Sequence, residues 1–338
     1  MISQSQNFNI KAFNTFGINA VCDYWIDFTQ ASDLPGILAS LPAPNFRCIG
    51  QGSNLLFVND YHGCLLHSSI LDMDVCHLDG FVEMRLGSGL CLDSIVEKCC
   101  QAQLWGIENL SGIPGDIGAA AVQNIGAYGV ELKDVVTKVE AYDTVTRKFV
   151  EFTNTECQYG YRHSIFKQSE NIGRYIITYV TIRLSSDGTP RIEYGNLSRQ
   201  LAHISPLTPS AVREAVIDTR NSKLPDPQRV GSAGSFFKNP VVPVSEYERI
   251  SRMFPEENVP HYPHGDDVKI PAAWLIEKCG WKGKTMGNAG VWHLQPLVLV
   301  NATGDATGAE IEQLELAIVR DVNSRFGIQL HPEADHIY

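Results

Sequence analysis

The apolar residues of this chain follow two periods, one typical of strands and one typical of helices. Alternation with period two predicts strands within residues 23–28, 47–49, 64–90, 135–152, 175–184 and 297–300. Apolar residues three and four positions apart predict helices at residues 31–41, 92–104, 209–219, 245–254, 271–279 and 307–326. The last helix has a stripe of five apolar residues that ends at Phe326, and Gly327 is its predicted end. The pattern therefore predicts an α+β protein.

Two polar segments interrupt this pattern in the second half of the chain. Residues 185–200 are rich in turn formers, and the run KLPDP follows at residues 223–227. Because a residue before proline is pushed out of the helical region, this run predicts a rigid, extended connection. We place a domain boundary there, beyond a strand-rich α+β region at about residues 15–185 and the predicted helix at residues 209–219.

The stretch from Gly106 to Leu132 is dominated by small residues and contains neither Lys nor Arg. Six of its first 24 residues are glycines, at positions 106, 112, 115, 118, 126 and 129. So many glycines indicate turns, or a close approach of the backbone to another group. A backbone without side chains exposes N–H groups that suit a pyrophosphate. The alternative is a loop that crosses a crowded core.

A second turn follows the predicted strand at residues 47–49, in the sequence GQGSN at residues 50–54. Position 55 is Leu, so the dinucleotide-binding pattern G-x-G-x-x-G is not met. A lone G-x-G is also what a tight turn between two strands requires. Together with the glycine-rich stretch, however, it predicts a second phosphate-facing turn, in which Ser53 and Asn54 donate hydrogen bonds.

Composition narrows the class of protein. With 338 residues, of which 44% are hydrophobic, the chain can form two or three domains with large cores. The net charge of −11 argues against nucleic acid or an anionic membrane as partner. No apolar run approaches the roughly 18–20 residues that span a bilayer. Because the N-terminus lacks the basic and apolar regions of a signal peptide, we expect a cytoplasmic protein.

The cysteines and histidines indicate neither disulfides nor a metal site. The nine cysteines have no paired spacing, and we expect reduced, buried thiols. The adjacent pair Cys99-Cys100 lies in a helical pattern and has poor geometry for a disulfide. The ten histidines are scattered without ligand spacing, so no metal site is predicted.

Three residues outside the two turns could carry chemistry. Arg162 lies in an aromatic, glycine-containing segment, where an unpaired guanidinium would be costly. Ser235 lies in the sequence GSAGSFFKNP, which lacks the G-x-S-x-G pattern of a hydrolase. A turn of small residues before an apolar pair is the alternative interpretation of that segment. Glu333 follows Pro332 near the C-terminus, where a lone carboxylate is usually solvated.

The ordered motifs resemble those of the MurB-type UDP-N-acetylenolpyruvoylglucosamine reductase family, which acts in peptidoglycan precursor and cell-wall synthesis. The similarity runs from the NTFG segment at residues 14–17 to Pro332-Glu333. It includes the GxGSN turn, the order IPG, QN and GAYG within residues 113–129, and the AGSFFKNP segment at residues 233–240. The chain is similar to the longer of the two family types, which has a Tyr-containing lid loop.

This resemblance implies an FAD-binding domain of the vanillyl-alcohol-oxidase (PCMH) type in two subdomains, followed by a C-terminal α+β substrate-binding domain. The implied ranges are residues 1–70 and 71–222 for the subdomains, with a lid insertion near residues 185–200, and 223–338 for the substrate-binding domain. It also implies tightly but non-covalently bound FAD. The implied flavin contacts are Gly50, Gly52, Ser53, Asn54, Ile113, Pro114, Gly115, Gly118, Gly126 and Tyr161.

The implied reaction is the NADPH-dependent reduction of UDP-N-acetylenolpyruvoylglucosamine to UDP-N-acetylmuramate. NADPH reduces FAD and leaves in a ping-pong order, and flavin N5 then gives hydride to the enolpyruvyl β-carbon. Arg162 and Glu333 stabilise the enol-like anion, and Ser235 protonates the α-carbon. The implied substrate contacts are Tyr128, Tyr194, Arg220, Lys223, Asn239, Lys269 and Lys282, with Asn54 as a further candidate.

The chain departs from the family pattern in two places. Ala334 and Asp335 follow Glu333, where the family commonly has an apolar residue and an arginine. A basic contact with substrate from that position is therefore missing here. Ala119 and Ala120 stand where better-known relatives have hydroxyl residues, so any flavin contact there comes from backbone N–H groups.

Two other functions remain open. The first is an oxidase of the wider flavin fold that acts on another alcohol or sugar, which the Ser235 segment and a cluster of Lys and Arg disfavour. The second is a non-catalytic nucleotide-binding or assembly protein. For the reductase, we expect a monomer whose partner is a small UDP-sugar.

Overall fold

The computed structural model describes residues 2–338, and Met1, the first residue of the first predicted subdomain, lies outside them. The α-helices are α1 Leu34–Ala39, α2 Leu92–Gln101, α3 Ile117–Gln123, α4 Leu197–Leu201, α5 Pro209–Asn221, α6 Val244–Met253, α7 Ala272–Lys278 and α8 Gly308–Phe326. The strands are β1 Ile2–Asn9, β2 Val21–Phe28, β3 Phe46–Ile49, β4 Leu55–Phe57, β5 Tyr61–Ser68, β6 Met73–Leu78, β7 Phe81–Gly87, β8 Gly126–Ala127, β9 Val130–Glu131, β10 Val136–Asp143, β11 Lys148–Thr153, β12 Tyr175–Ser185, β13 Gly231–Ser232, β14 Val241–Pro243, β15 Tyr262–His264, β16 Asp267–Lys269, β17 Thr285–Met286, β18 Ala289–Val291, β19 Leu299–Asn301 and β20 Asp335–Ile337.

All six helices predicted from the apolar period are present, with ends shifted by a few residues. The start of helix α8 is fixed by a capping box. The Thr307 hydroxyl accepts a hydrogen bond from the Glu310 N–H, and the Glu310 carboxylate accepts one from the Thr307 N–H. Gly327 ends the helix at φ +69°, a conformation that glycine adopts without strain. The predicted apolar stripe of α8 is buried along its whole length.

The chain divides into two compact units by its internal contacts. Of the described residues, the first unit comprises those up to Phe8, then Cys22–Gln51 and His62–Arg220. The second comprises Asn9–Val21, Gly52–Tyr61 and Asn221–Tyr338. Each unit thus takes up separate pieces of the N-terminal sixty residues. The division into residues 1–70, 71–222 and 223–338 stays a prediction.

The first unit contains a four-stranded and a five-stranded sheet. The four-stranded sheet has the order β1-β2-β5-β3, with β3 and β5 parallel. The five-stranded sheet is antiparallel in the order β11-β10-β12-β7-β6. One hydrophobic core lies around α1, and a larger one combines α2 and α3 with the five-stranded sheet. This larger core positions the glycine-rich stretch, because α3 is part of it.

The second unit has a four-stranded antiparallel sheet in the order β13-β19-β18-β17, on which α8 packs. A three-stranded sheet has the order β14-β16-β15 and contacts α6. A parallel pair joins β20 near the C-terminus to β4. This pair brings the segment after Glu333 beside the segment after Asn54.

The apolar pattern did not predict strand β1, helix α3 or the short hairpin β8–β9. Helix α3 has the sequence IGAAAVQ, in which Ala and Gly conceal the helical period. All nine cysteines are free thiols, and Cys99 and Cys100 are buried in α2. Cys76 is exposed in β6, so the expectation of uniformly buried thiols is wrong there. No helix in the described chain combines the length and apolar character that crossing a membrane requires.

Candidate active site

In the structure, the glycine-rich stretch is a packed loop that contains α3. The Ile117 N–H donates to the Leu90 carbonyl at 2.9 Å, and the Gly118 N–H donates to the Ser88 carbonyl at 3.0 Å. A Cβ at position 118 would lie 2.7 Å from the Ser88 Cβ, so this contact needs glycine. Close packing therefore explains part of the small-residue composition, and these two N–H groups bond within the protein itself.

The other predicted flavin contacts of this loop differ in exposure. Pro114 is exposed, whereas its neighbours Ile113 and Gly115 are buried. The two alanines that replace hydroxyl residues differ as well. Ala119 is exposed, while Ala120 is buried and donates its N–H to the residue that precedes α3. Pro114 and Ala119 are thus positions of this loop that a ligand can reach.

A buried carboxyl group joins the loop to the turn after β3. Asp116 is 3% exposed, and its Oδ1 accepts a 2.6 Å hydrogen bond from Gln51 Nε2. A Cβ at position 50 would lie 2.7 Å from Asp116 Oδ2, so Gly50 lets the turn approach the carboxyl group. Burial raises the pKa of Asp116 to about 6. Sequence reasoning missed Asp116, since no spacing distinguishes it from a solvated aspartate.

The rest of this turn belongs to the second unit. Gly52 has φ +62°, and a Cβ there would lie 2.2 Å from the Phe13 carbonyl oxygen, so the position requires glycine. Asn54 donates from Nδ2 to the Glu333 carbonyl at 2.9 Å. The Asn54 carbonyl accepts from the Asp335 N–H at 2.9 Å. These bonds attach the predicted flavin turn to the backbone of the segment that carries the predicted catalytic residue Glu333.

The donors of this turn suit a pyrophosphate group. Among residues 2–338, no main-chain carbonyl accepts a hydrogen bond from the N–H groups of Ser53 and Asn54. Ser53 adds a half-buried hydroxyl. Successive uncharged N–H groups in a turn bind phosphate oxygens. The residues present therefore fit the pyrophosphate of a flavin dinucleotide.

Ser235 and Glu333 come together on two segments that pair in the second unit. The Glu333 N–H donates to the Phe236 carbonyl at 2.7 Å, and the Lys238 N–H donates to the His331 carbonyl at 3.0 Å. Ser235 is exposed, while Glu333 is buried. An exposed hydroxyl can reach a ligand, and a buried carboxyl group on the paired segment can take part in a hydrogen bond. This pairing confirms no role, but it offers the chemistry that the two residues would need.

His336 supports this pair of segments. Its Nε2 lies 2.6 Å from Glu315 Oε2 on α8, and both side chains are largely buried. Its ring packs edge to face against Phe236, with centroids 6.0 Å apart. The hydrogen bond with Glu315 raises the pKa of His336. The sequence gives no sign of this contact, because the two partners lie on different elements.

Arg162 lies in a tight turn of the first unit. Its φ is +51°, which is uncommon for a residue with a side chain. Gly160 and His163 exchange main-chain hydrogen bonds at 3.0 and 3.1 Å across the turn. Arg162 Nη2 donates to the Gly126 carbonyl at 2.6 Å, and its guanidinium carbon lies 5.3 Å from the Tyr161 ring centroid. The structure thus brings three predicted site residues together.

Three predicted substrate contacts also meet in the first unit. The rings of Tyr128 and Tyr194 pack edge to face, with centroids 6.1 Å apart. Burial raises the pKa of Tyr128, and the positive charge of Arg220 opposes this rise. Burial lowers the pKa of Arg220. Among residues 2–338, no carboxylate lies within 4.0 Å of the Arg220 guanidinium, so this cation can bind an anionic ligand.

The segment predicted as a lid is attached to the rest of the first unit. Asn109 donates from Nδ2 to the Tyr128 carbonyl at 2.8 Å and to the Arg191 carbonyl at 2.7 Å. A Cβ at position 188 would lie 2.3 Å from the Trp105 Cβ, so Gly188 permits a close contact there. The Tyr194 side chain remains exposed. The segment therefore presents a tyrosine to solvent from a fixed base.

The remaining predicted substrate contacts lie on separate elements of the second unit. Asn239 Oδ1 accepts a 2.9 Å hydrogen bond from the first N–H of α7. Lys282 Nζ lies 2.9 Å from Glu277 Oε1. Lys269 ends β16, and Lys223 follows α5. Asn239 and Lys282 thus have partners within the protein that a ligand would have to share or replace.

Residues 2–338 contain no group of three or more His, Cys, Asp and Glu side chains placed to hold a metal ion.

Two family models match the chain. Residues 226–337 match the model described as UDP-N-acetylenolpyruvoylglucosamine reductase, C-terminal domain. Residues 36–148 match the model described as FAD binding domain. Because the FAD-binding match precedes the C-terminal match in the chain, the predicted order of an FAD-binding part followed by a C-terminal domain is confirmed. The C-terminal match begins three residues after the predicted boundary at residue 223.

Relatives resemble the chain over nearly its full length. UDP-N-acetylenolpyruvoylglucosamine reductase from Bacteroides fragilis (strain YCH46) is 42% identical over 336 residues, which are 98% of this chain and 99% of the relative. The protein of that name from Porphyromonas gingivalis (strain ATCC 33277) is 43% identical over 338 residues, 98% of each chain.

A solved structure supports the fold. UDP-N-acetylenolpyruvylglucosamine reductase (MurB) from Thermus caldophilus aligns with a TM-score of 0.67 at 22% identity, over 100% of this chain and 99% of that chain. At this identity the likeness supports the fold alone. The predicted α+β class is confirmed.

Proposed function

The chain belongs to the UDP-N-acetylenolpyruvoylglucosamine reductase family, and from this premise we propose that it reduces UDP-N-acetylenolpyruvoylglucosamine to UDP-N-acetylmuramate with NADPH as hydride donor. It is an FAD-dependent oxidoreductase of peptidoglycan synthesis. The observation that carries the proposal is the pairing of the Ser235 and Glu333 segments. The main-chain bonds hold the segment of Ser235 beside the segment of the buried Glu333, which supports the roles proposed for these two residues.

The flavin supplies hydride transfer when it is bound. We assign its pyrophosphate to the uncharged donors of Ser53 and Asn54, since their N–H groups are available for a ligand. The other proposed flavin contacts are Gly50, Gly52, Ile113, Pro114, Gly115, Gly118 and Tyr161, whereas the Gly126 carbonyl accepts a hydrogen bond from Arg162. We expect tight, non-covalent binding.

Arg220 is the proposed anchor for the diphosphate of the substrate. Its guanidinium is half-buried and has no carboxylate in hydrogen-bonding reach within residues 2–338, so a diphosphate would satisfy it. Tyr128 and Tyr194 would pack beside the nucleotide. Further proposed contacts lie in the second unit and are Lys223, Asn239, Lys269 and Lys282.

Three side chains are proposed to stabilise the negative charge of the intermediate and to supply the proton that completes the reaction. Reduction at the enolpyruvyl β-carbon leaves negative charge on the carboxylate-bearing end of the double bond. Arg162 stabilises this charge with its guanidinium, and Glu333 does so with a proton that it holds or shares. Ser235 donates its hydroxyl proton to the α-carbon, which completes the lactyl ether.

The proposal also covers the domain boundaries, the partner, the oligomeric state and the location of the protein. We assign residues 1–70 and 71–222 to two FAD-binding subdomains, with a lid near residues 185–200, and residues 223–338 to a substrate-binding domain. The partner is a small UDP-sugar. We expect a monomer in the cytoplasm.

The test is the visible absorption spectrum of the purified protein, recorded before and after anaerobic addition of NADPH. We expect a flavin spectrum that bleaches with NADPH and recovers when UDP-N-acetylenolpyruvoylglucosamine is added. This sequence of changes would establish cofactor, donor and acceptor in a single experiment.

Other results would overturn the proposal in distinct ways. A colourless protein that cannot be reconstituted with FAD would contradict the assignments at residues 50–54 and 106–132. Rapid reoxidation by air without a response to NADPH would indicate an oxidase. A reduced flavin that the enolpyruvyl substrate fails to reoxidise would refute the acceptor.

A further inference from the structure

We propose that Asn124 and Gly126 are positioning residues for Arg162. This inference rests on the role proposed above for Arg162 and concerns only residues of the first unit. It gives Gly126 a purpose that differs from the flavin contact predicted for it. It also gives a purpose to Asn124, which the sequence did not single out.

Asn124 bonds to two backbone groups and one side chain around the Arg162 turn. It is fully buried and ends α3 in the left-handed conformation, at φ +47°. Its Nδ2 donates to the Gly160 carbonyl at 2.8 Å and to Glu131 Oε2 at 2.9 Å. Its Oδ1 accepts from the Lys133 N–H at 3.0 Å. The turn that contains Arg162 is thus attached to hairpin β8–β9 by a single side chain, that of Asn124.

The Arg162 turn needs such support because its backbone is strained. Arg162 has φ +51°, where an arginine pays a steric cost that the surroundings must offset. Main-chain bonds between Gly160 and His163 close the turn, and the Asn124 amide holds its first carbonyl. Because the buried Asn124 amide bonds to the turn and to hairpin β8–β9 at once, it fixes the direction in which the Arg162 side chain leaves the turn.

Gly126 fixes the other end of the side chain. The Gly126 carbonyl accepts the 2.6 Å hydrogen bond from Arg162 Nη2. A Cβ at position 126 would lie 3.1 Å from Arg162 Nη1, 2.9 Å from the Glu131 Cγ and 3.0 Å from the Val130 carbonyl oxygen. Any side chain at this position therefore displaces the guanidinium or the strand opposite. The arginine and the neighbouring Val130 and Glu131 together explain the absence of a side chain at position 126 without a ligand.

The two residues act on the same group from two sides. Asn124 determines where the Arg162 backbone lies, and Gly126 determines where its guanidinium can lie. A displacement of about 1 Å in a group that stabilises charge can lower a rate roughly 100-fold. Substrate reduction should depend on both residues, whereas flavin reduction by NADPH does not require Arg162.

The experiment uses the FAD-loaded full chain and three single variants, Asn124→Gly, Gly126→Ala and Arg162→Ala. The two positioning changes, Asn124→Gly and Gly126→Ala, are also each combined with Arg162→Ala. Asn124→Gly keeps the left-handed backbone and removes only the side-chain bonds. Gly160→Ala is the matched control, since its Cβ would make an ordinary 3.7 Å contact with the His163 Cβ. Should Asn124→Gly not fold, Asn124→Asp keeps the acceptor for Lys133 and removes both donated bonds.

Three quantities are measured: the FAD dissociation constant by flavin fluorescence, the rate of flavin bleaching by NADPH, and the rate of reoxidation by UDP-N-acetylenolpyruvoylglucosamine. We expect both positioning variants to slow reoxidation about 10- to 100-fold while FAD affinity and bleaching stay as in the wild type. In the Arg162→Ala background, neither change should slow reoxidation further. Gly160→Ala should resemble the wild type.

Each contrary result identifies what is wrong. Weaker FAD binding or slower bleaching in Gly126→Ala would return Gly126 to the role of flavin contact and overturn the inference. Undiminished slowing in the Arg162→Ala background would show that the residues act independently of Arg162. If Arg162→Ala slows reoxidation but neither Asn124→Gly nor Gly126→Ala does, the positioning role fails while the proposed function stands. If Arg162→Ala itself has no effect, the proposed role of Arg162 fails first.

Discussion

The main-chain N–H of Glu333 donates a 2.7 Å hydrogen bond to the carbonyl oxygen of Phe236. This bond fixes the segment with the carboxyl group beside the segment with Ser235, although the two are far apart in the chain. The two polar groups have unequal surroundings, because Glu333 is buried and Ser235 is exposed. Unequal surroundings favour unequal roles, with the exposed hydroxyl as proton donor and the buried carboxyl as stabiliser.

Replacing Ser235 with Ala should separate the two half-reactions. Because general acid catalysis contributes typically 10²- to 10⁴-fold, reoxidation by UDP-N-acetylenolpyruvoylglucosamine should slow by roughly that factor. Bleaching by NADPH should stay at the wild-type rate, since it needs no proton from this hydroxyl. Anaerobic stopped-flow absorbance measures both rates. Ser232→Ala is the matched control on the same segment, and unchanged reoxidation in Ser235→Ala would exclude Ser235 as the acid.

The pair His336–Glu315 should make the stability of the second unit depend on pH. The hydrogen bond raises the pKa of His336 above its ordinary value of 6.5. The contribution of the pair is therefore complete below about pH 6.5 and is lost as the pH rises through the higher folded-state pKa. A hydrogen bond to a charged group contributes about 1.5–3 kcal/mol.

Urea unfolding at pH 6 and pH 9 measures this effect. The free energy of unfolding of the wild type should fall by more over this interval than that of His336→Gln. His331→Gln changes an exposed histidine of the same segment and should retain the wild-type pH dependence. Equal pH dependence in the wild type and His336→Gln would show that the pair contributes nothing.

Asp116 should give a second pH dependence, in the first unit. Burial raises its pKa from 3.8 to about 6, so its contribution to stability is full below about pH 3.8 and is lost as the pH rises through 6. Asp116→Asn should therefore be more stable than the wild type at pH 8. Two pKa units correspond to at most about 3 kcal/mol. The two proteins should converge near pH 4, as measured by urea unfolding.

The comparison with Asp116→Asn tests burial of the charge directly. The amide keeps an oxygen for the hydrogen bond from Gln51 Nε2 and removes the charge. A variant less stable than the wild type at pH 8 would mean that the ionised carboxylate is stabilised by its bond with Gln51. Asp79→Asn changes an exposed aspartate of the same unit and serves as control.

The parts of the fold that sequence could predict have a regular period. Helix α8 was predictable because its apolar stripe is uninterrupted and its capping residues stand at both ends. Helix α3 was not, since its Ala and Gly residues carry no period and its burial comes from packing on Ser88 and Leu90. Strand β1 was missed because its sequence ISQSQNFN is mostly exposed and polar.

The candidate site was predictable only where a motif fixes a local turn. Ser235 and Glu333 could be named from their segments, but their pairing is made by main-chain bonds between distant parts of the chain. Asn124 and His336 act through partners on other elements, Gly160 and Glu315, and no local spacing reveals such bonds. Gly50 and Gly126 were predicted as flavin contacts, whereas the structure shows protein atoms that a Cβ would crowd at both positions.

Arg220 provides a test of the substrate site that is independent of the proton donor. Within residues 2–338 its guanidinium has no carboxylate in ion-pair distance, and burial lowers its pKa. A diphosphate would supply the missing negative charge and accept hydrogen bonds from the guanidinium. Loss of a hydrogen bond between charged groups costs about 1.5–3 kcal/mol, so Arg220→Ala should raise the KM for the UDP-sugar roughly 10- to 100-fold.

Steady-state kinetics with NADPH in excess measures this KM, and anaerobic bleaching measures flavin reduction separately. Flavin reduction should not change in Arg220→Ala. Arg220→Lys should restore part of the affinity, because lysine keeps the charge but lacks the planar fork of donors. Arg199→Ala removes an exposed arginine from α4 of the same unit and should leave the KM unchanged. A wild-type KM in Arg220→Ala would place the diphosphate elsewhere, and the proposed contacts of Tyr128 and Tyr194 would lose their support.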